Sequence, residues 1–386
     1  MRRNAFGFMA RAAWLGVALA VLAGAAPAWA VSYTAKTVVT MDALSGQVVE
    51  SQSGDAPVGP ASLAKMMTLY LVYAAVAEGH ANWDDPVLAG SNAFHKEGST
   101  MFLREGERVT LRELAYGIGV ASGNDACIAV AEFLSGSEDA FVTRMNETAA
   151  RIGMKHTHFG SATGLPAEGQ VTTGEDMARL AYHLIADFPP VIEVLSTQYY
   201  THGGVRQPNR NRLLWKNIGV DGVKTGHTEE DGFHLVASAQ KGEQRFIVAV
   251  MGADGETSRE EIAERYLLAA FRRFATVRAI KPGEPVAQVV VWKGAADSVG
   301  AVPDGPVFVS VPREREAEVT VAATVAELEA PVAKGQVVGT AQVYVGTEVV
   351  REVSLVADRE VPEGGFFTRI WDALVLMFRA LLDKLF

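Results

Sequence analysis

The chain has a single cysteine in 386 residues, Cys127, so an intramolecular disulfide is excluded. Cys127 sits in the apolar run after Ser122-Gly123-Asn124 and is expected to be a buried, inert thiol. Basic residues are also short. Lys and Arg number 35 against 45 Asp and Glu, and a formal net charge of −10 argues against nucleic acid as a partner. There is no His-Glu-x-x-His, and His156-x-His158 lacks a clear third ligand, so a turn or surface histidine pair is preferred to a zinc site. Phosphate-binding glycine loops are absent, which leaves no sign of a nucleotide, and no organic cofactor is implied. Internal repeats and low-complexity segments are missing as well.

The two ends of the chain carry apolar stretches, and neither reads as a spanning helix of ~20 apolar residues. Residues 1–30 show Arg2, Arg3 and Arg11, then an apolar core over about residues 12–22, then Ala28-Trp29-Ala30. That pattern predicts a secretory signal cut after Ala30, and its removal takes the net charge from −10 to −13. At the other end, residues 366–386 predict an amphipathic helix. Arg369, Asp372, Arg379, Asp383 and Lys384 share a sector of roughly 140°, with Trp371, Leu374, Phe378, Leu381 and Leu385 opposite. Such a helix suits an in-plane position on a membrane surface, the alternative being a helix packed on its own domain or on a second copy.

Between the ends, the pattern divides into a catalytic region at 31–278 and an all-β region at 281–362, joined at Lys281-Pro282-Gly283. In the first region strands are expected near 36–41 and 233–251, and helices near 62–78, 111–134, 175–186 and 261–274. This is α+β, an antiparallel sheet with helices. Beyond residue 283, runs at 286–291, 307–311, 317–325, 335–345 and 349–356 alternate apolar and polar residues and are rich in β-branched side chains.

Within the first region three short motifs follow one another: Ser62-Leu63-Ala64-Lys65, Ser122-Gly123-Asn124 and Lys224-Thr225-Gly226. Each alone is weak; a Ser-x-x-Lys arises about once by chance in a chain this long. Residues three apart share a helical face, so Ser62 and Lys65 are expected to point into one cleft. A serine hydroxyl needs a base beside it, and Lys65 serves only if its pKa falls from ~10.4 to roughly 7–8. Burial and a second cation, with Lys224 the candidate, would lower it. Ser122 can relay a proton, and the Asn124 amide can donate and accept hydrogen bonds. Lys224 and Thr225 on a strand edge suit a substrate carboxylate, while Gly226 clears space for an approaching backbone.

With these motifs in hand, the chain resembles the low-molecular-mass penicillin-binding proteins, the serine-type D-alanyl-D-alanine carboxypeptidases of peptidase family S11. The resemblance extends to Pro60-Ala61-Ser62, Asp125-Ala126, Gly164-Leu165, Asp176-Met177-Ala178, Asn211-Arg212-Leu213-Leu214-Trp215 and Asp221 to Thr228. It implies a β-lactamase/transpeptidase-like catalytic domain, a small all-β domain and a C-terminal helix that often anchors such enzymes. It also implies acylation of Ser62, Lys65 as its base, and an oxyanion hole made by the backbone N–H groups of Ser62 and His227. Arg210 resembles an arginine that positions the substrate carboxylate. The implied substrate is the peptidoglycan stem pentapeptide, the implied inhibitors are β-lactams, and the implied site is the periplasmic face of the inner membrane. Ala64, where Thr is usual, and Glu230-Asp231-Gly232, where Ala-Gly is usual, bear on substrate fit rather than on reaction type. A class A β-lactamase shares the three motifs but needs a deacylating glutamate, for which Glu168 is the candidate. A wall-binding protein that holds stem peptides without turnover is the other alternative.

Overall fold

The structure is a computed structural model describing residues 34–382. The expected signal at 1–30 and the tail residues Asp383, Lys384 and Leu385 lie outside the described residues. The fold is α+β. Its catalytic half is built on an antiparallel sheet of five strands, β1 (Thr37–Asp42), β2 (Val48–Gln52), β3 (Val220–Thr228), β4 (Gly232–Lys241) and β5 (Gln244–Ala253). Their spatial order is β2-β1-β5-β4-β3, so chain-distant β1 and β5 are neighbours and β3 forms an edge. Successive residues from Phe246 to Met251 are buried, which requires cover on both faces of β5.

Helices supply that cover. The helix α1 (Lys65–Ala77) is apolar all round and buried from Lys65 to Ala75, which marks it as the central core helix. After it come α2 (Asn124–Ser135), α3 (Glu138–Arg151), α4 (Gly174–Asp187) and α5 (Glu256–Arg273). Ser137 caps α3 by accepting from Ala140 N–H, and Thr173 caps α4 through Asp176 N–H. Both α4 and α5 pack on β5. The expected helix at 261–274 starts five residues earlier, because Gly255 is extended and lets the chain turn into α5 at Glu256.

The second half has its own core, with Val289, Val299, Val309, Val343 and Leu355 all buried. A sheet of six strands runs β10-β12-β13-β8-β7-β11, and a separate pair joins β6 to β9. These are β6 (Phe274–Ile280), β7 (Ala287–Trp292), β8 (Ser298–Pro303), β9 (Val307–Pro312), β10 (Val319–Val325), β11 (Leu328–Glu329), β12 (Val337–Val345) and β13 (Glu348–Ala357). The boundary expected at residue 278 falls inside β6. That strand pairs with β9 from Phe274 onward, since its alternating side chains complete the second core rather than the first.

Polar contacts pin the halves together. Asp42 accepts from Ser310 Oγ at 3.2 Å and also from Thr276 Oγ1, while Arg351 donates to Ser45 O at 3.0 Å and Phe308 O at 2.8 Å. The last helix, α6 (Phe366–Leu382), turns its polar side to the β half. Lys293 N–H donates to Asp372 Oδ2 at 2.6 Å, Arg379 reaches Glu327 at 2.9 Å and Arg369 reaches Glu363 at 2.6 Å. Its apolar side is bare, with Phe367 86% and Trp371 69% exposed. No helix among the described residues is long and apolar enough to cross a membrane.

Candidate active site

The three motifs meet in one cleft. Ser62 lies in a 3-10 turn (Ala61–Ala64) that feeds directly into α1, so the expected helix at 62–78 begins as a tighter coil. Lys65 Nζ is 2.7 Å from Ser62 Oγ and donates to Thr163 O at 2.8 Å. The Lys65 side chain is wholly buried, and burial, aided by the nearby Arg210 charge, brings its ammonium down to about 8. Lys224 also lies well below its ordinary range, through burial first and then the charge of Lys65. The expected influence therefore runs the other way: the charge of Lys65 lowers Lys224, and the cation that lowers Lys65 is Arg210 rather than Lys224.

Lys224 Nζ donates to Ser122 Oγ at 2.9 Å, which links the second and third motifs. Ser122 itself adopts φ 60, ψ 33 at the end of the turn Gly117–Ala121, a left-handed conformation rare for a side chain of its kind. That conformation holds the hydroxyl against Lys224 Nζ. Asn124 opens α2. Its N–H donates to Ser99 O and its Nδ2 to Glu97 O, each at 2.6 Å, while its buried Oδ1 has no partner.

On β3, Thr225 and Gly226 are buried and His227 is exposed, its ring stacked on Phe233 at 4.0 Å. A Cβ on Gly226 would lie 3.3 Å from Ser62 N, tighter than ordinary van der Waals contact, so glycine eases the strand's approach to Ser62. At Gly164, with φ +78, a Cβ would come within 1.7 Å of Ala61 O, so only glycine fits. Arg210 is exposed and stands between two buried asparagines. Asn211 Nδ2 donates to Gly222 O of β3 at 2.8 Å, and Asn209 Nδ2 to Thr197 O at 3.1 Å. All nine of the expected residues, Ser62, Lys65, Ser122, Asn124, Lys224, Thr225, Gly226, His227 and Arg210, thus border one region.

Other candidates stand apart. Glu168, the alternative deacylating glutamate, is exposed on the Gly164–Gln170 stretch. His156 and His158 use their backbones, donating to Asp176 and pairing with Val171. Cys127 is buried, and burial pushes its thiol up to about 12.

Two supporting residues were not foreseen. The Asp125 carboxylate accepts from Met101 N–H and Leu103 N–H at 3.0 Å each and from Thr100 Oγ1, so it fixes the loop that Asn124 touches. Its place right after Ser122-Gly123-Asn124 was the only available signal. Arg259, buried on α5, donates to Gly226 O at 3.3 Å from behind the strand, and nothing in its sequence neighbourhood announces it.

Residues 23–255 match the family described as D-alanyl-D-alanine carboxypeptidase, peptidase S11, and residues 274–363 match the penicillin-binding protein 5 C-terminal domain. Among curated relatives, the D-alanyl-D-alanine carboxypeptidase DacA of Escherichia coli (strain K12) is 40% identical over 353 residues, covering 89% of this chain and 88% of its own. Among solved structures, penicillin binding protein 5 from Haemophilus influenzae superposes with a TM-score of 0.79 at 35% identity, over 86% of this chain and 98% of that one. Penicillin-binding protein D2 from Listeria monocytogenes, solved with ampicillin bound, gives 0.54 at 29% identity over 61% of this chain and 97% of its own.

Proposed function

The chain belongs to the S11 family of D-alanyl-D-alanine carboxypeptidases, and on that premise we propose that Ser62 removes the terminal D-alanine from peptidoglycan pentapeptide stems. The observation that carries this assignment is the 2.7 Å contact between Ser62 Oγ and a fully buried Lys65 whose pKa is near 8. A lysine so placed is a base at working pH, and the serine beside it is an activated nucleophile.

The steps follow from the arrangement. Lys224, Thr225 and Arg210 receive the substrate carboxylate. Two ammonium groups in one buried pocket do not both stay charged easily, and the incoming carboxylate favours the proton on Lys224, leaving Lys65 neutral. Lys65 takes the Ser62 proton as Oγ bonds to the penultimate D-alanine carbonyl carbon. The oxyanion that forms is held by the N–H groups of Ser62 and His227, each worth roughly 2.7–4 kcal/mol by comparison with similar donors. Ser122, bridged to Lys224, relays the proton that Lys65 took from Ser62 to the departing D-alanine amine as the C–N bond breaks, so Lys65 is neutral again. Water then attacks the acyl-enzyme ester, giving its proton to Lys65, which passes it to Ser62 Oγ as the ester C–O bond breaks.

β-Lactams enter the same cleft as acylating inhibitors, in keeping with the ampicillin complex of the Listeria relative. The test is D-alanine release from a soluble peptide ending in Lys-D-Ala-D-Ala, with Ser62→Ala alongside. Release that survives in Ser62→Ala refutes the proposal.

The catalytic region, the all-β region and α6 serve an exported enzyme on the periplasmic face of the inner membrane. The bare Phe367, Trp371, Phe378 and Leu381 side of α6 supports an in-plane anchor, because its polar side is already engaged by the β half. Protein ending at Gly365 should leave the membrane fraction; continued sedimentation with membranes would exclude the anchor.

A further inference from the structure

Beyond Gly226 along β3, a cavity of about 660 Å³ opens beside the nucleophile. Ala61, next to Ser62, belongs to its lining. One wall is the end of β3 with its turn, His227 to Asp231, and the other is the stretch from Gly164 to Gln170. The turn is fixed in place by Asp231, which accepts from Gly59 N–H at 3.0 Å and Thr228 Oγ1 at 3.1 Å and lies 3.7 Å from Lys36 Nζ. Glu229 and Glu230, also in the lining, are exposed, and among the described residues neither joins a hydrogen bond or ion pair.

A second feature marks the region as a place for a ligand. The Asn124 side-chain oxygen is buried and unpartnered. Asn124 and Leu165, a lining residue of the cavity, both flank Gly98, where a Cβ would sit 2.8 Å from Asn124 Nδ2 and 4.0 Å from Leu165 Cδ2. An open acceptor at that point can take a hydrogen bond from a ligand donor such as the N–H of an extended peptide.

Direction along the strand then fixes what the cavity holds. With the terminal carboxylate at Lys224 and Thr225 and the scissile carbonyl at Ser62, the residue upstream of D-Ala-D-Ala falls past His227. We propose that this cavity receives that residue and that Glu229 and Glu230 select a protonated amine on its side chain. The inference rests on the carboxypeptidase reading and extends it to substrate choice. Both carboxylates are solvent-exposed, so the selection is modest and salt-sensitive.

The experiment compares kcat/KM for three peptides, acetyl-Lys-D-Ala-D-Ala with a free side-chain amine, its Nε-acetyl form and its Nε-succinyl form. They are assayed with the full chain and with the Glu229→Gln/Glu230→Gln double variant. The native protein should prefer the free amine over the acetyl form by about three- to tenfold at low salt, less at high salt, and the double variant should lower that ratio to about one. A Glu229→Lys/Glu230→Lys variant should turn the preference toward the succinyl peptide. Equal rates for amine and acetyl peptides with the native protein, or a ratio that the double variant leaves intact, would overturn the subsite. If none of the three peptides releases D-alanine and penicillin does not label Ser62, the carboxypeptidase reading fails and the subsite falls with it.

Discussion

The sharpest consequence of the buried lysines is a pH profile. Lys65 must be neutral to accept the Ser62 proton, and its pKa stands at about 8 because the side chain has lost its water. A lowered ammonium pKa means that the active, neutral form grows as pH rises. From the titration law about one-tenth of Lys65 is neutral at pH 7, half at pH 8 and nine-tenths at pH 9. The second-order rate of acylation by a fluorescent penicillin should therefore climb about tenfold between pH 7 and pH 9, with a midpoint near 8. Because Lys224 shares the pocket, that midpoint belongs to the pair. Arg210 lowers both lysines. Arg210→Ala should thus move the midpoint upward, as well as weakening the plateau through loss of the carboxylate contact. Stopped-flow acylation at constant ionic strength, from pH 6 to pH 9.5, gives the answer. A rate that stays flat over that range would refute Lys65 as the base.

Three further outcomes follow from buried contacts. Asp125→Ala strands the N–H groups of Met101 and Leu103 and should cost ~3–5 kcal/mol in urea unfolding, with kcat/KM falling as the Asn124 loop loosens; a loss below ~1 kcal/mol would show the loop to be held otherwise. His234 is buried on β4, and burial holds its imidazole down at about 4 against an ordinary 6.5. The unfolded chain takes up that proton first, so stability should fall as pH drops from about 6.5 toward 4, by up to ~3 kcal/mol; His234→Asn should flatten this slope, and an unchanged slope in urea titrations would count against the assignment. Gly164→Ala drives a methyl into Ala61 O and should abolish penicillin labelling of Ser62 while circular dichroism keeps its native shape; full labelling would mean the Ala61 turn can yield.

The grouping of the candidate reactive residues was legible because the proposed chemistry demands particular side chains at short spacings. Ser62 and Lys65 had to share a helical face, and a Lys-Thr-Gly edge strand had to bring Gly226 against the nucleophile. Support from a distance was not legible. Thr163 holds Lys65 with a backbone carbonyl that any residue could offer, and Arg259 acts through β3 from a helix more than thirty residues away. Helix Glu138–Arg151 was missed although Phe141 and Met145 lie at helical spacing behind the Ser137 cap, since its many polar residues dilute the apolar stripe. The amphipathic wheel of α6 was visible because it is local. The grip of Asp372 and Arg379 on the β half depends on tertiary contacts and was not. The division at residue 278 went astray for a related reason, as β6 is recognised only by its partner β9.

Under the anchor proposed for α6, its seating would also govern how far the enzyme can search. A catalytic domain on a slack tether explores a hemisphere of wall above its attachment point. Here Asp42 and Arg351 fasten the two halves, and Asp372, Arg369 and Arg379 fasten α6 to the second. If α6 lies in a bilayer surface as proposed, the cleft would ride at one elevation and move only by lateral diffusion. Its reach would then be a thin slab parallel to the membrane, and stems outside that slab would escape trimming however abundant they are.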